Sequence, residues 1–151
     1  MTTATSGVRR PVRTAALVVG VAFLVVGVLG FVPGVTRGDL ALAGPHTGAL
    51  LFGVFAVSVL HNVVHLLFGV LGVVASRWVG GARTFLLAGG FVYLLLWVWG
   101  SVLHEGGPLP VNPADNWLHF ALGAGMVLLG VAVTAFERRR GQYPGREQQG
   151  V

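Results

Sequence analysis

Four long apolar stretches restrict what this chain can fold into. They run over residues 14–32, 49–76, 84–103 and 116–136. Each is long enough to cross a hydrocarbon core about 30 Å thick, which takes roughly 20 apolar residues in a helix. Backbone polar groups in a bilayer must be satisfied within the protein, and a helix does this segment by segment. The sequence therefore predicts an all-α, polytopic membrane protein with four transmembrane helices.

The charged residues are few and lie between the apolar stretches. Only 10% of the 151 residues are charged, whereas a soluble domain has about 25%. The arginines cluster before the first stretch, between the second and third, and after the fourth, at Arg9, Arg10, Arg13, Arg77, Arg83, Arg138, Arg139 and Arg140. Because cytoplasmic segments carry the excess of positive charge, these three regions are predicted to be cytoplasmic.

This charge pattern predicts a multi-pass membrane protein with both termini in the cytoplasm. Residues 1–13 form a cytoplasmic N-terminal arm, and residues 137–151 form a disordered cytoplasmic tail. The expected partner is membrane lipid rather than nucleic acid. A homo-oligomer or a second membrane protein is left open.

The two halves of the chain resemble each other. Arg13, Thr14, Gly20 and Gly30 recur as Arg83, Thr84, Gly90 and Gly100, with Phe23 matching Tyr93, and an N-x-x-H-x-x-x-G pattern starts at both Asn62 and Asn116. Because both halves would cross the membrane in the same direction, this pattern predicts a four-helix bundle built from two parallel-repeat helical hairpins.

The repeat also predicts where the second span begins. Asn112, Pro113 and Asp115 are residues that start helices, and Ser58 occupies the position equivalent to Asn112. The predicted spans, within a transmembrane domain of residues 14–136, are about 14–32, 58–76, 84–103 and 115–136. The remaining apolar residues 49–57 form an outer-loop element that lies on the membrane or between helices.

Polar residues share one face on each of the second and fourth spans. His61, His65, Gly69, Gly72 and Ser76 are spaced by 4, 4, 3 and 4 residues, as are Asp115, His119, Gly123, Met126 and Gly130. This spacing places each set on one helix face, and small residues let helices approach closely in lipid. We expect His65 to face His119 inside the bundle, with His61 and Asp115 one turn further out. Asn62, Asn116, His104 and Glu105 complete the polar cluster near the extracytoplasmic face.

Ionisable groups at membrane depth are costly unless they are paired, so this cluster is the candidate functional site. The primary interpretation is structural: the cluster hydrogen-bonds the helices together and leaves room for a ligand. One alternative is a Zn or Fe site formed by His61, His65, Asp115 and His119, or a b-type haem with His65 and His119 as axial ligands. A second alternative is a small proton-coupled permease.

The sequence contains no nucleophile elbow, phosphate-binding loop or dinucleotide fingerprint. An enzyme is therefore the less favoured expectation, and no catalytic residue is assigned. The cofactor, if one exists, stays open between haem b and a divalent metal.

Two segments resemble the actinobacterial membrane family called domain of unknown function 4383. They are V-L-H-N-V-V-H-L-L-F-G-V-L-G, from Val59 to Gly72, and N-P-A-D-N-W-L-H-F-A-L-G, from Asn112 to Gly123. The Y-L-L-L-W stretch from Tyr93 to Trp97 also fits this family. The resemblance covers nearly everything between Arg13 and Arg138. It implies a four-helix protein of the bacterial plasma membrane, with no established chemistry to carry over.

Overall fold

Four helices and a small sheet make up the computed structural model, which describes residues 10–45, 47–102 and 107–140. The elements in chain order are α1 (Pro11–Leu29), β1 (Thr36–Arg37), β2 (Leu50–Leu51), β3 (Phe55–Ala56), α2 (Val59–Ala75), α3 (Val79–Val102) and α4 (Pro113–Arg139). The predicted all-α four-helix bundle is confirmed, with the small sheet as an addition between α1 and α2.

The outer surface of the bundle is apolar. Within the described residues, α1, α3 and α4 are long and apolar enough to cross a membrane, whereas α2 is a shorter apolar helix of 17 residues. Leu67, Leu71 and Phe91 are each 60% exposed on the outside of the bundle. A water-soluble monomer rarely exposes so much contiguous apolar surface, so lipid is the natural solvent for these side chains. The chain is a small membrane protein.

Side-chain caps fix the starts of α2 and α4. The Ser58 hydroxyl accepts a hydrogen bond from the backbone N–H of His61 at 3.1 Å. At α4 the Asn112 side chain accepts from the Asp115 N–H at 2.9 Å, and the Asp115 carboxylate accepts from the Asn112 N–H at 3.1 Å. This reciprocal pair is a capping box, and Pro113 at the first helical position needs no N–H partner.

The described helix ends differ from the predicted spans, most clearly at the starts of α1 and α3 and at the end of α4. Helix α3 begins at Val79, five residues before the predicted start at residue 84. Helix α1 already begins at Pro11, within the predicted arm, and α4 continues to Arg139, within the predicted tail. Residues 1–9 of the arm and 141–151 of the tail lie outside the described residues.

Glycines let the helices of each hairpin pack backbone against backbone. A Cβ atom added at Gly20 of α1 would lie 2.7 Å from the Val73 nitrogen and 2.9 Å from the Gly72 carbonyl carbon of α2. A Cβ at Gly90 of α3 would lie 2.8 Å from the Gly123 oxygen of α4. The faces predicted to point inward on α2 and α4 are buried, which confirms that part of the sequence analysis.

A buried carboxylate joins α1 to α4 at one end of the bundle. Glu137 is 0% exposed, and its Oε1 accepts a hydrogen bond from the Val12 N–H at 3.1 Å. Helix α1 has no side-chain cap from its own Arg10, so Glu137 accepts from an N–H that the helix itself leaves without a partner. A carboxylate at this position is also stabilised by the positive end of the helix dipole. We call this end, which carries Arg13, Arg77, Arg83 and Arg138, the arginine end.

The opposite end is closed by the sheet. Strands β1, β2 and β3 pair antiparallel in that order, with Thr36 opposite Leu51 and Leu50 opposite Ala56. Ala49, Leu51 and Val57 are buried against apolar residues of α1. The predicted outer-loop element 49–57 therefore forms the β2–β3 hairpin and packs on the helices. We call this the sheet end.

Candidate functional site

Three imidazoles meet inside the bundle at the sheet end. His61 and His65 lie one turn apart on α2 and His119 lies on α4, and they are 5%, 9% and 7% exposed. The centroid of the His61 ring is 4.5 Å from that of His65 and 6.4 Å from that of His119. The inward orientation predicted for these side chains is confirmed by their burial. We call these three residues the imidazole cluster.

Aromatic rings from α1 and α3 contact His65 and His119 of the cluster. The ring centroids of Phe23 and His65 are 5.6 Å apart, and those of Tyr93 and His119 are 5.5 Å apart. Phe23 and Tyr93 also contact each other, at 5.3 Å between centroids. The sequence analysis expected His65 to face His119, and in the structure the His61 ring contacts both of them. Phe23 and Tyr93 pack in a second layer behind the imidazoles.

Asp115 fastens the β2–β3 hairpin to α4. Its Oδ2 accepts hydrogen bonds from the Ala56 N–H at 2.9 Å and from the Asn112 N–H at 3.1 Å, and the residue is 3% exposed. The Asn112 side-chain amide also donates to the Val54 carbonyl oxygen at 2.7 Å. The hairpin is thereby held over the imidazole cluster.

The two predicted asparagines lie at contacts within each helical hairpin. A Cβ atom added at Gly30, directly after α1, would overlap the side-chain amide of Asn62, and one added at Gly100 of α3 would overlap that of Asn116. The Asn116 amide donates to the Ser101 hydroxyl at 2.9 Å. Each asparagine therefore packs against the other helix of its own hairpin rather than against the other asparagine. His104 and Glu105, also predicted for the cluster, lie outside the described residues.

The imidazole cluster has hydrogen-bonding capacity that the protein does not use. The Nδ1 atoms of His61, His65 and His119 are buried and have no hydrogen-bond partner among the described residues. Leaving a buried polar group without a partner costs about 1–3 kcal/mol. Three such groups lie side by side in this cluster.

The predicted metal set is not assembled in this structure. Within residues 10–45, 47–102 and 107–140, no group of three or more His, Cys, Asp and Glu side chains is arranged to hold a metal ion. In this structure Asp115 Oδ2 instead accepts hydrogen bonds from the Ala56 and Asn112 N–H groups.

The residues also do not fit a haem between His65 and His119. The cavity beside the cluster has a volume of about 70 Å³. That is room for roughly two water-sized molecules and far too little for a macrocycle. We call it the polar cavity, because its lining includes His61, His65, Asp115 and His119. Its remaining walls are apolar and come in part from Phe52 and Phe55 of the hairpin.

Comparison with known proteins gives a family for this fold and site. The sequence matches domain of unknown function 4383 (DUF4383) over residues 13–132. The chain belongs to the DUF4383 family. No curated protein and no solved structure matches it. The imidazole cluster, Asp115 and the β2–β3 hairpin all lie inside the DUF4383 match, whereas Glu137 lies beyond it.

Sequence reasoning missed several residues that shape this DUF4383 site. Phe23 was noted only as the match of Tyr93, yet both rings contact imidazoles. Phe55 was assigned to an apolar element of unknown conformation, yet it lines the polar cavity. In the sequence, the alignment of Phe23 with Tyr93 was the one pattern that pointed to these contacts, because it puts an aromatic ring at the same depth in each hairpin.

Proposed function

We propose that this DUF4383 protein binds a small, neutral, hydrogen-bonding ligand at the imidazole cluster. The observation that carries the proposal is that three buried imidazoles line one cavity while the Nδ1 of each has no partner in the described part of the chain. A neutral imidazole offers one donor and one acceptor. A hydroxyl or carbonyl group placed in the polar cavity can therefore find complementary partners.

A purely helix-joining role for the imidazoles has less support. The imidazoles contact one another and their neighbours mainly as rings, with one backbone hydrogen bond between His61 and Ala56. Asn112 and Asp115 make the other hydrogen bonds that link the hairpin to the helices. Ring contacts would be made equally well by phenylalanine, which does not leave buried nitrogens unsatisfied. The polar nitrogens are better explained by a ligand.

A proton-coupled permease also has less support than a binding role. Below the imidazole cluster, toward the arginine end, the bundle is filled by aromatic rings. Phe68 contacts Phe23, Phe85 and Tyr93, with centroid distances of 4.9, 5.1 and 5.4 Å. This apolar layer lies where a proton or substrate would have to cross the bundle. We therefore propose that a ligand binds at the imidazole cluster and does not pass beyond it.

The binding proposal is tested with phenol, which has one hydroxyl group and no hydrocarbon chain. Its hydroxyl fits the polar cavity, and its ring would extend past His65. In detergent-solubilised protein labelled with ¹⁵N-histidine, we expect phenol to shift the imidazole nitrogen resonances of the cluster and to saturate. His65→Phe keeps a ring of similar size but removes both nitrogens, and it should abolish the saturable shift of the remaining cluster imidazoles. The measurement is an NMR titration at fixed detergent concentration.

A matched control introduces the same ring on the outside of α2. Val63 is 38% exposed, so Val63→Phe should leave the phenol titration unchanged. Circular dichroism checks that both variants are folded. A shift that grows linearly with phenol and is equal in all three proteins would reflect partition into detergent and would overturn the binding proposal.

We also propose that the two hairpins form a parallel repeat. Equivalent residues make equivalent contacts: Phe23 with His65 and Tyr93 with His119, at 5.6 and 5.5 Å. Asn62 and Asn116 pack against Gly30 and Gly100, and Ser58 and Asn112 cap α2 and α4. The repeat is broken where His61 is matched by Asp115. This difference gives the bundle one imidazole-rich site instead of two equal halves.

The proposed setting is the bacterial plasma membrane, with the arginine end and both termini in the cytoplasm. The support is the distribution of charge: Arg13, Arg77 and Arg83 lie at the arginine end, whereas Arg37 at the sheet end is accompanied by Asp39. Positively charged loops are retained in the cytoplasm. The imidazole cluster then lies near the extracytoplasmic face.

Orientation can be tested directly because the chain contains no cysteine. Arg77→Cys, in the turn between α2 and α3, should react with a membrane-impermeant maleimide only after the cells are permeabilised. Leu42→Cys, at a position 76% exposed in the loop of the sheet end, should react in intact cells. Labelling of Arg77→Cys in intact cells would reverse the proposed topology.

A further inference from the structure

An apolar cavity lies between α1 and α4, directly beside the imidazole cluster. Its volume is about 300 Å³. It is lined by five residues of α1 between Val18 and Val26, by six residues of α4 between Leu118 and Leu129, and by His65. His65 is the one polar side chain in this lining. We call it the apolar cavity.

The apolar cavity and the polar cavity adjoin each other. Both are lined by Val26, His65, Leu118 and Leu122. His65 is 9% exposed, and its Nδ1 has no partner in the described part of the chain. A cavity lined by apolar side chains stays dry and favours apolar occupants, whereas polar groups need hydrogen-bonding partners. The joined space therefore suits a molecule with a hydrocarbon body and a polar head at His65.

The size of the apolar cavity limits the hydrocarbon body. A volume of about 300 Å³ corresponds to roughly ten water-sized groups, and it lies at the lower end of the range for ligand pockets. A single hydrocarbon chain of about ten carbons, or one small ring system, fills such a space. A phospholipid with two long chains does not fit.

The charges around both cavities indicate a neutral head. No arginine or lysine is present in either lining, so an anionic head would find no cation among the described residues there. The one carboxylate in the lining, Asp115, already accepts two backbone hydrogen bonds through Oδ2. Neutral donor and acceptor groups match neutral imidazoles without burying a net charge.

The route into the apolar cavity runs through the side of the bundle. Val18 of α1 and Leu129 of α4 line the cavity and are also 62% and 43% exposed on the outer surface. At the sheet end, the β2–β3 hairpin is fastened over the cluster by Asp115 and Asn112. Access between α1 and α4 therefore opens to the hydrocarbon phase.

We infer that this protein binds a neutral, single-chain lipid-phase molecule, with its hydrocarbon chain between α1 and α4 and its hydroxyl or carbonyl head at His65. This inference rests on the proposed function, because it uses the same imidazole cluster for the head group. It adds the chemical class of the ligand and its entry from lipid.

Gly125 offers a substitution that fills the apolar cavity without disturbing the bundle. It lines the cavity, and a Cβ atom added there meets nothing within 4 Å. Gly125→Leu should occupy the space of the hydrocarbon chain and leave the fold intact. Gly80 of α3 supplies the matched control, because a Cβ there also meets nothing within 4 Å and the residue lines neither cavity.

The test uses ¹⁵N-histidine protein in lipid nanodiscs, titrated with dodecan-1-ol, dodecane and dodecanoate as mole fractions of the bilayer. Dodecan-1-ol should shift the imidazole resonances of the wild type and of Gly80→Leu with equal midpoints, and its midpoint should rise at least about tenfold in Gly125→Leu. Dodecane should shift the resonances much less than dodecan-1-ol does, because it has no hydroxyl group to bond to His65. Circular dichroism and thermal unfolding should show that both leucine variants are folded.

The outcomes separate this inference from the proposed function. If phenol gives its saturable shift but dodecan-1-ol does not, the lipid-phase inference is wrong and the binding proposal stands. If neither probe shifts the imidazoles, both fail. Tighter binding of ionised dodecanoate than of dodecan-1-ol would overturn the neutral head, and equal midpoints for the two leucine variants would overturn the assignment of the chain to the apolar cavity.

Discussion

Replacing Gly20 with leucine will lower the free energy of unfolding by about 3 kcal/mol, because the new side chain has no space between α1 and α2. Its Cβ alone would lie 2.7 Å from the Val73 nitrogen and 3.0 Å from the Gly69 oxygen. These are backbone atoms of a packed helix, which cannot rotate away as a flexible side chain can. The helices must separate, and the contacts between the two backbones are lost.

The loss at Gly20 is measured by unfolding the protein in mixed micelles with increasing SDS, followed by circular dichroism. Gly125→Leu is the matched control, since it makes the same change inside a helix at a position with open space. Removing a helical glycine normally favours the helix by up to about 1 kcal/mol, so the control should be neutral or stabilised. Equal midpoints for the two variants would contradict the close packing of α1 on α2.

Replacing Asp115 with alanine will cost about 3 kcal/mol, because two buried backbone N–H groups lose their acceptor together. Asp115 Oδ2 bonds to Asn112 in the capping box of α4 and to Ala56 in the β2–β3 hairpin. The substitution should therefore weaken the start of α4 and release the hairpin from the sheet end. Hydrogen exchange at the Ala56 amide should accelerate more than exchange in the middle of α4.

Two control substitutions separate the carboxylate's hydrogen bonds from its charge. Asp115→Asn keeps an oxygen acceptor and should cost clearly less than Asp115→Ala. Asp39→Ala removes an exposed carboxylate in the same loop region and should change stability by no more than about 0.5 kcal/mol. Slow exchange at Ala56 in Asp115→Ala would show that the hairpin does not depend on this residue.

The four helices and their buried faces could be predicted from the sequence because both depend on local patterns. Helix number follows from the lengths of the apolar stretches, and the buried faces follow from the spacing of His61, His65 and Gly69 on α2 and their counterparts on α4. The sequence analysis predicted a second helix beginning near Ser58, and Ser58 is the N-cap of α2. Each of these features is decided within a few turns of one helix.

The partners of individual side chains could not be predicted in the same way. The sequence analysis grouped Asp115 with the histidines as a ligand, since both occur on one polar face. Its actual partners are the Asn112 N–H three residues before it and the Ala56 N–H on the hairpin. Likewise Glu137 was placed in the tail, although it is buried and bonded to Val12 at the other end of the sequence. Spacing along a helix gives no information about such distant partners.

By itself the sequence determined a four-helix membrane bundle and which faces of α2 and α4 turn inward. Only the tertiary structure decided that the His61 ring contacts the other two imidazoles and that the β2–β3 hairpin covers them. It also decided that a cavity opens between α1 and α4 beside His65. The physical reason is that hydropathy and helical periodicity act over neighbouring turns. Cavities and hydrogen-bond partners depend on how separate helices are placed against one another.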